Sequence, residues 1–180
     1  AGAATLTFTD GNNGSFAYTV DGIAQTKPIT RQAFGPLPTC AFGSQPNLAL
    51  ATNYQDLWYA APAESESGWG INLAHEGDAI FATWFTYDVD GTPTWLSATL
   101  AKSGANAYLG TLIRTAGPAF NAVPFNPGAV SRAEVGTATL VFTNGNAGSF
   151  VYQVNGAPAV VNQVKPITRQ VFRSPGTTCQ

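Results

Sequence analysis

The acidic residues of this sequence come in close pairs, Glu64 with Glu66 in AESESGWG and Asp88 with Asp90 in YDVDGTP. Two carboxyl groups roughly 5 to 9 Å apart are what a glycosidase needs, one to protonate the leaving oxygen and one to act as base or nucleophile. Glu64 and Glu66 are the pair whose spacing suits that chemistry. The second pair opens like a calcium loop, but the later ligands and the terminal Glu are missing, and Asp-Gly is a favoured hairpin dipeptide. His75 is the single histidine. A Ser-His-Asp arrangement would need an activated serine, and ESESGWG is not the G-x-S-x-G turn that presents one. One His and two distant Cys do not make a zinc site. The sequence therefore assigns no catalytic residue, no metal and no cofactor, and an enzyme using Glu64 or Glu66 is the least supported of three readings.

Aromatic residues are the stronger chemical signal: Trp58, Tyr59, Trp69, Phe81, Trp84, Phe85, Tyr87 and Trp95 fall within forty positions or so. Along residues 80–87 both faces of a strand would be apolar, more than one interior can absorb. Trp and Tyr held on a rigid sheet commonly mark a surface for sugars or for a partner protein. The candidate ligand-binding set is Trp69, Asn72, His75, Trp84, Tyr87 and Trp95, with Asn72 and His75 at the mouth of a barrel. A plainer reading makes Trp84 and Trp95 cross-strand neighbours inside a core. On it His75, which shares the alternation of Trp69, Ile71 and Leu73, is a hydrogen-bonded strand-end residue near the rim.

What must position these residues is β-structure throughout. FTDGNNGSFAYTVDG at residues 8–22 returns as FTNGNAGSFVYQVNG at 142–156, identical at 10 of 15 positions, and KPITRQAF at 27–34 returns as KPITRQVF at 165–172. The offset grows from 134 to 138 between the two blocks, which places a four-residue insertion around 157–162. Such self-similarity means duplication. Each copy reads as three strands with period-two alternation and Gly-containing turns. Between the copies, LWYAA, GWGINLAHEG, DAIFATWFTYDVDG, TPTWLSATLAKSG and NAYLGTLIRTAG give five more strands, and 119–135 is a proline-containing crossover.

Five strands plus the second copy make eight, enough to close a small barrel and remove its edges. The expected fold is all-β: an antiparallel meander forming an eight-stranded barrel or strongly curved sheet, with an extra N-terminal three-stranded half-unit. The expected boundaries are 1–40 for the half-unit, 41–56 for a linker and 57–179 for the complete unit. Three strands alone bury too little apolar surface to offset their conformational entropy. Two near-identical triplets thus compete for one five-stranded partner, and the one left over presents an edge for domain swapping or strand donation.

Only 10% of the residues are charged and the formal net charge is -2, so no basic face exists to neutralise nucleic-acid phosphates. No run approaches the roughly 18 apolar residues of a membrane-spanning helix. Few Lys and Arg, no Met and abundant Gly, Asn, Thr and Ser suit an exported β-protein. Cys40 and Cys179 follow the two copies at matched places; in an oxidising compartment they would pair and close a loop worth about 5 kcal/mol by chain entropy. Two free thiols, or bridges to other units, are the alternatives.

Arg31 and Arg169 stand in I-T-R-Q strands whose neighbours two residues away are apolar, so each needs a partner if it points inward. The arrangement is similar to that of calycin barrels, where a Trp near a Gly in the first strand packs under an Arg from the last. By that similarity Trp58, or Trp69 in Gly-Trp-Gly, would meet Arg169 through a cation–π contact, with Glu64 or Glu66 as counter-charge. Finally, ESGWGINLAHEGD, FATWFTYDVDGTPTWL, RTAGPAF and KPITRQVF together resemble an uncharacterised secreted β-domain, often in tandem, of extracellular proteins of Gram-negative bacteria. That resemblance, over 57–179, implies export to the medium or cell surface and modularity, and no activity. The function expected first is a non-catalytic module that self-associates or joins neighbouring repeat units by strand exchange; a glycan- or small-ligand-binding barrel is the alternative.

Overall fold

The computed structural model describes residues 1–156 and 159–180; two positions of the predicted insertion, 157 and 158, lie outside the described residues. The chain divides into two compact units, one of Ala1–Phe34 with Gly117–Val130 and one of Gly35–Ala116 with Ser131–Gln180.

In the first unit, β1 (Gly2–Phe8), β2 (Asn13–Val20) and β3 (Ile23–Thr30) form an antiparallel sheet in that order. Gly2 pairs with Val20, Phe8 with Gly14, and Asn13 with Thr30. The β2–β3 connection is the two-residue hairpin that Asp-Gly favours: Asp21 and Gly22 both take positive φ, 47° and 84°. Among the described residues β1 and β3 each pair only with β2. The crossover belongs to this unit. Phe120 lies 6.1 Å from the Tyr18 ring, and Lys27 Nζ stands 5.8 Å above the Phe125 ring.

The second unit opens with β4 (Cys40–Gln45), which pairs with β13 (Gly176–Cys179) in a two-stranded sheet carrying the Cys40–Cys179 disulfide. Residues 41–56 are thus not the expected linker. They contain most of β4 and a 3-10 turn at Leu48–Leu50, begun by the Asn47 side chain accepting from Ala49 N, and they pack as part of the barrel unit. Then follow β5 (Asp56–Ala60), β6 (Gly70–Glu76), β7 (Ala79–Tyr87), β8 (Pro93–Gly104), β9 (Ala107–Ala116), β10 (Ser131–Asn144), β11 (Ala147–Val154) and β12 (Val161–Arg169). These eight close into an antiparallel barrel in which β12 returns to β5.

Period-two patterning dictates which residues fill the barrel. Ile71 and Leu73, Ile80, Ala82 and Trp84, Leu96, Ala98 and Leu100, Leu140 and Phe142, and Phe150 alternate with exposed neighbours and are buried. The plainer expectation for Trp84 and Trp95 fails on register. Trp84 pairs with Leu96 and points in, while Trp95 pairs with Phe85 and both lie on the outer face, each 48% exposed.

The second copy of the repeat completes the barrel and the first does not. β10 has fourteen residues against seven in β1, and its first turnful, from Ser131 to Glu134, pairs with β9 from Ala116 to Ile113. It also follows β9 directly in the chain, across residues 117–130, and loop-closure entropy grows only slowly with such a length.

Candidate functional site

The barrel interior holds two separate aromatic clusters, one at each end. At the first end, register decides the chemistry: β12 and β5 pair so that Arg169 stands opposite Trp58. The Arg169 guanidinium lies 5.1 Å from the Trp58 ring centroid. Its Nε donates to Gly145 O at 2.5 Å, one terminal nitrogen to Gln55 O at 2.9 Å and Asp56 Oδ2 at 3.2 Å, and the other to Asn53 O at 3.0 Å. A buried guanidinium needs this many acceptors to be tolerated. Burial pulls its pKa below the ordinary arginine value, and the Asp56 carboxylate works against that. The counter-charge is therefore Asp56, not Glu64 or Glu66. Asp56 begins β5, apart from the Glu64–Glu66 turn, and carries no pairing pattern of its own in the sequence.

Tyr54 extends this end of the barrel. Its ring stacks on Phe142 at 3.6 Å and on His75 at 5.6 Å, and its carbonyl accepts the Trp58 indole N–H at 3.0 Å. His75 is 4% exposed. Its Nδ1 accepts the Tyr54 backbone N–H at 2.9 Å, which leaves Nε2 to donate to Gly77 O at 3.0 Å, with Tyr108 Oη 3.2 Å away. Burial is the main reason that its pKa falls below the ordinary histidine value. This is a neutral imidazole at the end of β6, buried and locked by its neighbours as the plainer reading expected, and not a group open to a ligand.

The opposite end gathers Trp69, Trp84, Phe150 and Tyr152. The Trp84 ring lies 5.2 Å from Phe150 and 4.4 Å from Tyr152, and Trp69 is 6.2 Å from Phe150. A cavity of about 260 Å³ opens here, walled by Trp69, Trp84, Tyr87 and Tyr152 and rimmed by charged groups. Gly68 makes the wall possible. Its φ is +84°, and a Cβ there would sit 1.9 Å from Tyr87 Oη, which itself donates to Ser67 O at 3.3 Å. Two ion pairs span the rim: Lys165 Nζ to Glu66 Oε1 at 2.6 Å and Arg114 to Asp88 Oδ2 at 2.9 Å. Lys165 Nζ also stands 5.7 Å over the Trp69 ring. Tyr152 Oη donates to Gln163 Oε1, and burial, with the Glu66 carboxylate adding to it, pushes the phenol pKa up to about 12.

The predicted ligand-binding set is thus divided. Trp69, Trp84 and Tyr87 meet at this cavity. Asn72 lies on the outer wall, beside a larger groove of about 430 Å³ that reaches Arg169 and Cys179. His75 belongs to the other end, and Trp95 to the outer face. Glu66 is ion-paired, Glu64 is an exposed turn residue with φ +67°, and Asp90 accepts from the Thr92 backbone N–H and hydroxyl to close its turn. No group of three or more possible metal ligands occurs among the described residues. Arg114, Tyr152 and Lys165, to which the aromatic and acidic patterns do not point, carry the same signal as the core. They share strand parity with Leu112, Phe150 and Ile167, and therefore point inward.

No family model, no curated protein and no solved structure matches this chain. Among the described residues no helix is long and apolar enough to cross a membrane. What can be said about function comes from the geometry.

Proposed function

We propose that this chain is a non-catalytic, exported module that joins units of its own kind, offering its β1–β3 layer to a five-stranded layer such as β5–β9. One observation carries the reading: residues that are core in the second copy are uncovered in the first. Leu140 and Phe142 are 0% and 3% exposed, whereas Leu6 and Phe8, at the same places in the repeat, are 56% and 67% exposed. Covering a Leu and a Phe gains about 1.5–3 kcal/mol each, and among the described residues β1 and β3 pair with β2 alone, which leaves each an open edge. The disulfide suits export to an oxidising compartment.

Sedimentation velocity over a wide concentration range tests it. A species larger than the monomer should grow with concentration, and the double change Leu6→Asp with Phe8→Asp should abolish it while leaving the tryptophan near-ultraviolet circular dichroism of the barrel intact. A strict monomer at every concentration would overturn the proposal.

A further inference from the structure

Four buried side-chain polar atoms lack a hydrogen-bond partner among the described residues: Trp69 Nε1, Trp84 Nε1, Arg114 Nε and Asn146 Oδ1. Three of the four belong to residues that line the 260 Å³ cavity at the Trp69 end of the barrel. All three are donors. A donor left unsatisfied in a buried position costs about 1–3 kcal/mol, so three at one cavity are an unusual concentration of unspent hydrogen-bonding capacity. Trp69 and Trp84 are themselves 6% and 4% exposed, so their two indole donors belong to the interior, while the Arg114 side chain is 42% exposed and reaches the rim.

We infer that this end of the barrel is a binding site for one neutral, oxygen-rich ring, the size and chemistry of a single pyranose sugar. The class follows from three features of the wall. Unpaired donors ask for oxygen acceptors. Indole and phenol faces suit the C–H face of a sugar ring. The charges cancel, since Arg114 is matched by Asp88 and Lys165 by Glu66, so no rim charge is left over to pair with an ionic ligand. The volume lies at the small end of ligand cavities, enough for one ring rather than an extended chain.

Full access to the Trp69 face requires Lys165, whose Nζ stands 5.7 Å over that ring, to swing aside. That costs little. The ion pairs involve side chains 19–42% exposed, and pairs of this kind contribute only about 0–1 kcal/mol. Their members then become rim acceptors and donors for the sugar hydroxyls.

The four indole N–H resonances of ¹⁵N-labelled protein report on this directly. Titration with glucose, galactose, mannose and N-acetylglucosamine, and with glucuronate as the charged control, should shift the Trp69 and Trp84 signals saturably with at least one of the neutral sugars. The Trp58 signal, whose N–H is already bonded to Tyr54 O, and the outer-face Trp95 signal should stay. Trp84→Phe, which keeps a ring and deletes one donor, should weaken that binding about tenfold. The wild-type titration decides the matter even if that variant folds poorly. Three results would overturn the inference: no movement of Trp69 or Trp84 with any neutral sugar, movement only with glucuronate, or movement of Trp95 in their place.

Discussion

Phe150 and Tyr152 in β11 sit with ring centroids 5.1 Å apart at 37°, and Phe16 and Tyr18 in β2 repeat that geometry to the same values. Tyr152 donates to Gln163 and Tyr18 to Gln25; Arg169 Nε reaches Gly145 O and Arg31 Nε reaches Gly11 O. Local structure is thus the same in the two copies, down to individual hydrogen bonds. What differs is what lies across from them. In the barrel Phe150 is 1% exposed behind Trp69 and Trp84, while Phe16 is only half-buried. The repeat sequence specifies a three-stranded layer, and the five strands β5–β9 turn such a layer into a core. Short-range pattern makes the sheet; long-range pairing makes the burial.

Energetic tests can break that comparison. The largest effect should come from the feature that binds the two tails together: Cys40→Ser with Cys179→Ser opens a bridge spanning 139 residues, worth up to about 5 kcal/mol by chain entropy, and urea denaturation of the barrel fluorescence should show the loss. Next, Phe142→Ala should cost about 3–5 kcal/mol through transfer and cavity terms, whereas Phe8→Ala at the equivalent exposed place should change stability by no more than about 0.5 kcal/mol. Equal losses from the two would mean that the first copy is buried after all.

Arg169→Ala should cost about 3 kcal/mol, since Asp56 and three carbonyls lose a buried partner; Arg31→Ala in the same urea experiment should cost well under half of that. The smallest effect sharpens the picture of the Trp58 end. His75 has a folded pKa below its unfolded value of about 6.5, so the unfolded chain takes up the proton first. Its contribution to stability is fully present above about pH 6.5 and is lost as pH falls through the folded value. Protonation would put an N–H on Nδ1 against the Tyr54 N–H. The wild-type urea midpoint should therefore drop between pH 7.5 and 5.5 by more than that of His75→Gln, and parallel curves would rule His75 out as the cause.

Much of this fold could be read directly from alternation and repetition. All eight barrel strands, their order and the antiparallel closure follow from period-two patterns cut by Gly-containing turns. The facing of Trp95 was legible too, but on the neighbouring residues: Ser97 and Thr99 share its parity and mark the outer face, while Leu96, Ala98 and Leu100 mark the inside. Looking along β7 alone could not decide this, because apolar residues occupy both of its faces. The β4–β13 sheet was not legible. Its strands are short, lack alternation, and come together beside a bridge between residues far apart in the chain. The Trp69 cavity was half legible, through its aromatics. Its charged rim required following strand parity to Arg114 near the end of β9 and Lys165 in the middle of β12, which look like ordinary surface cations.

The crossover over β1–β3 has a bearing on any encounter with another unit. Lys27 rides 5.8 Å above Phe125 much as Lys165 rides 5.7 Å above Trp69, so Gly117–Val130 already acts as a provisional lodger on the layer. On the proposed joining of units, a newcomer would first have to displace Phe120 and Phe125, which would slow capture and subtract their contacts from the adhesion gained. Joints made this way would be reluctant to form and easy to undo, a property suited to a reversible fastening rather than a permanent weld.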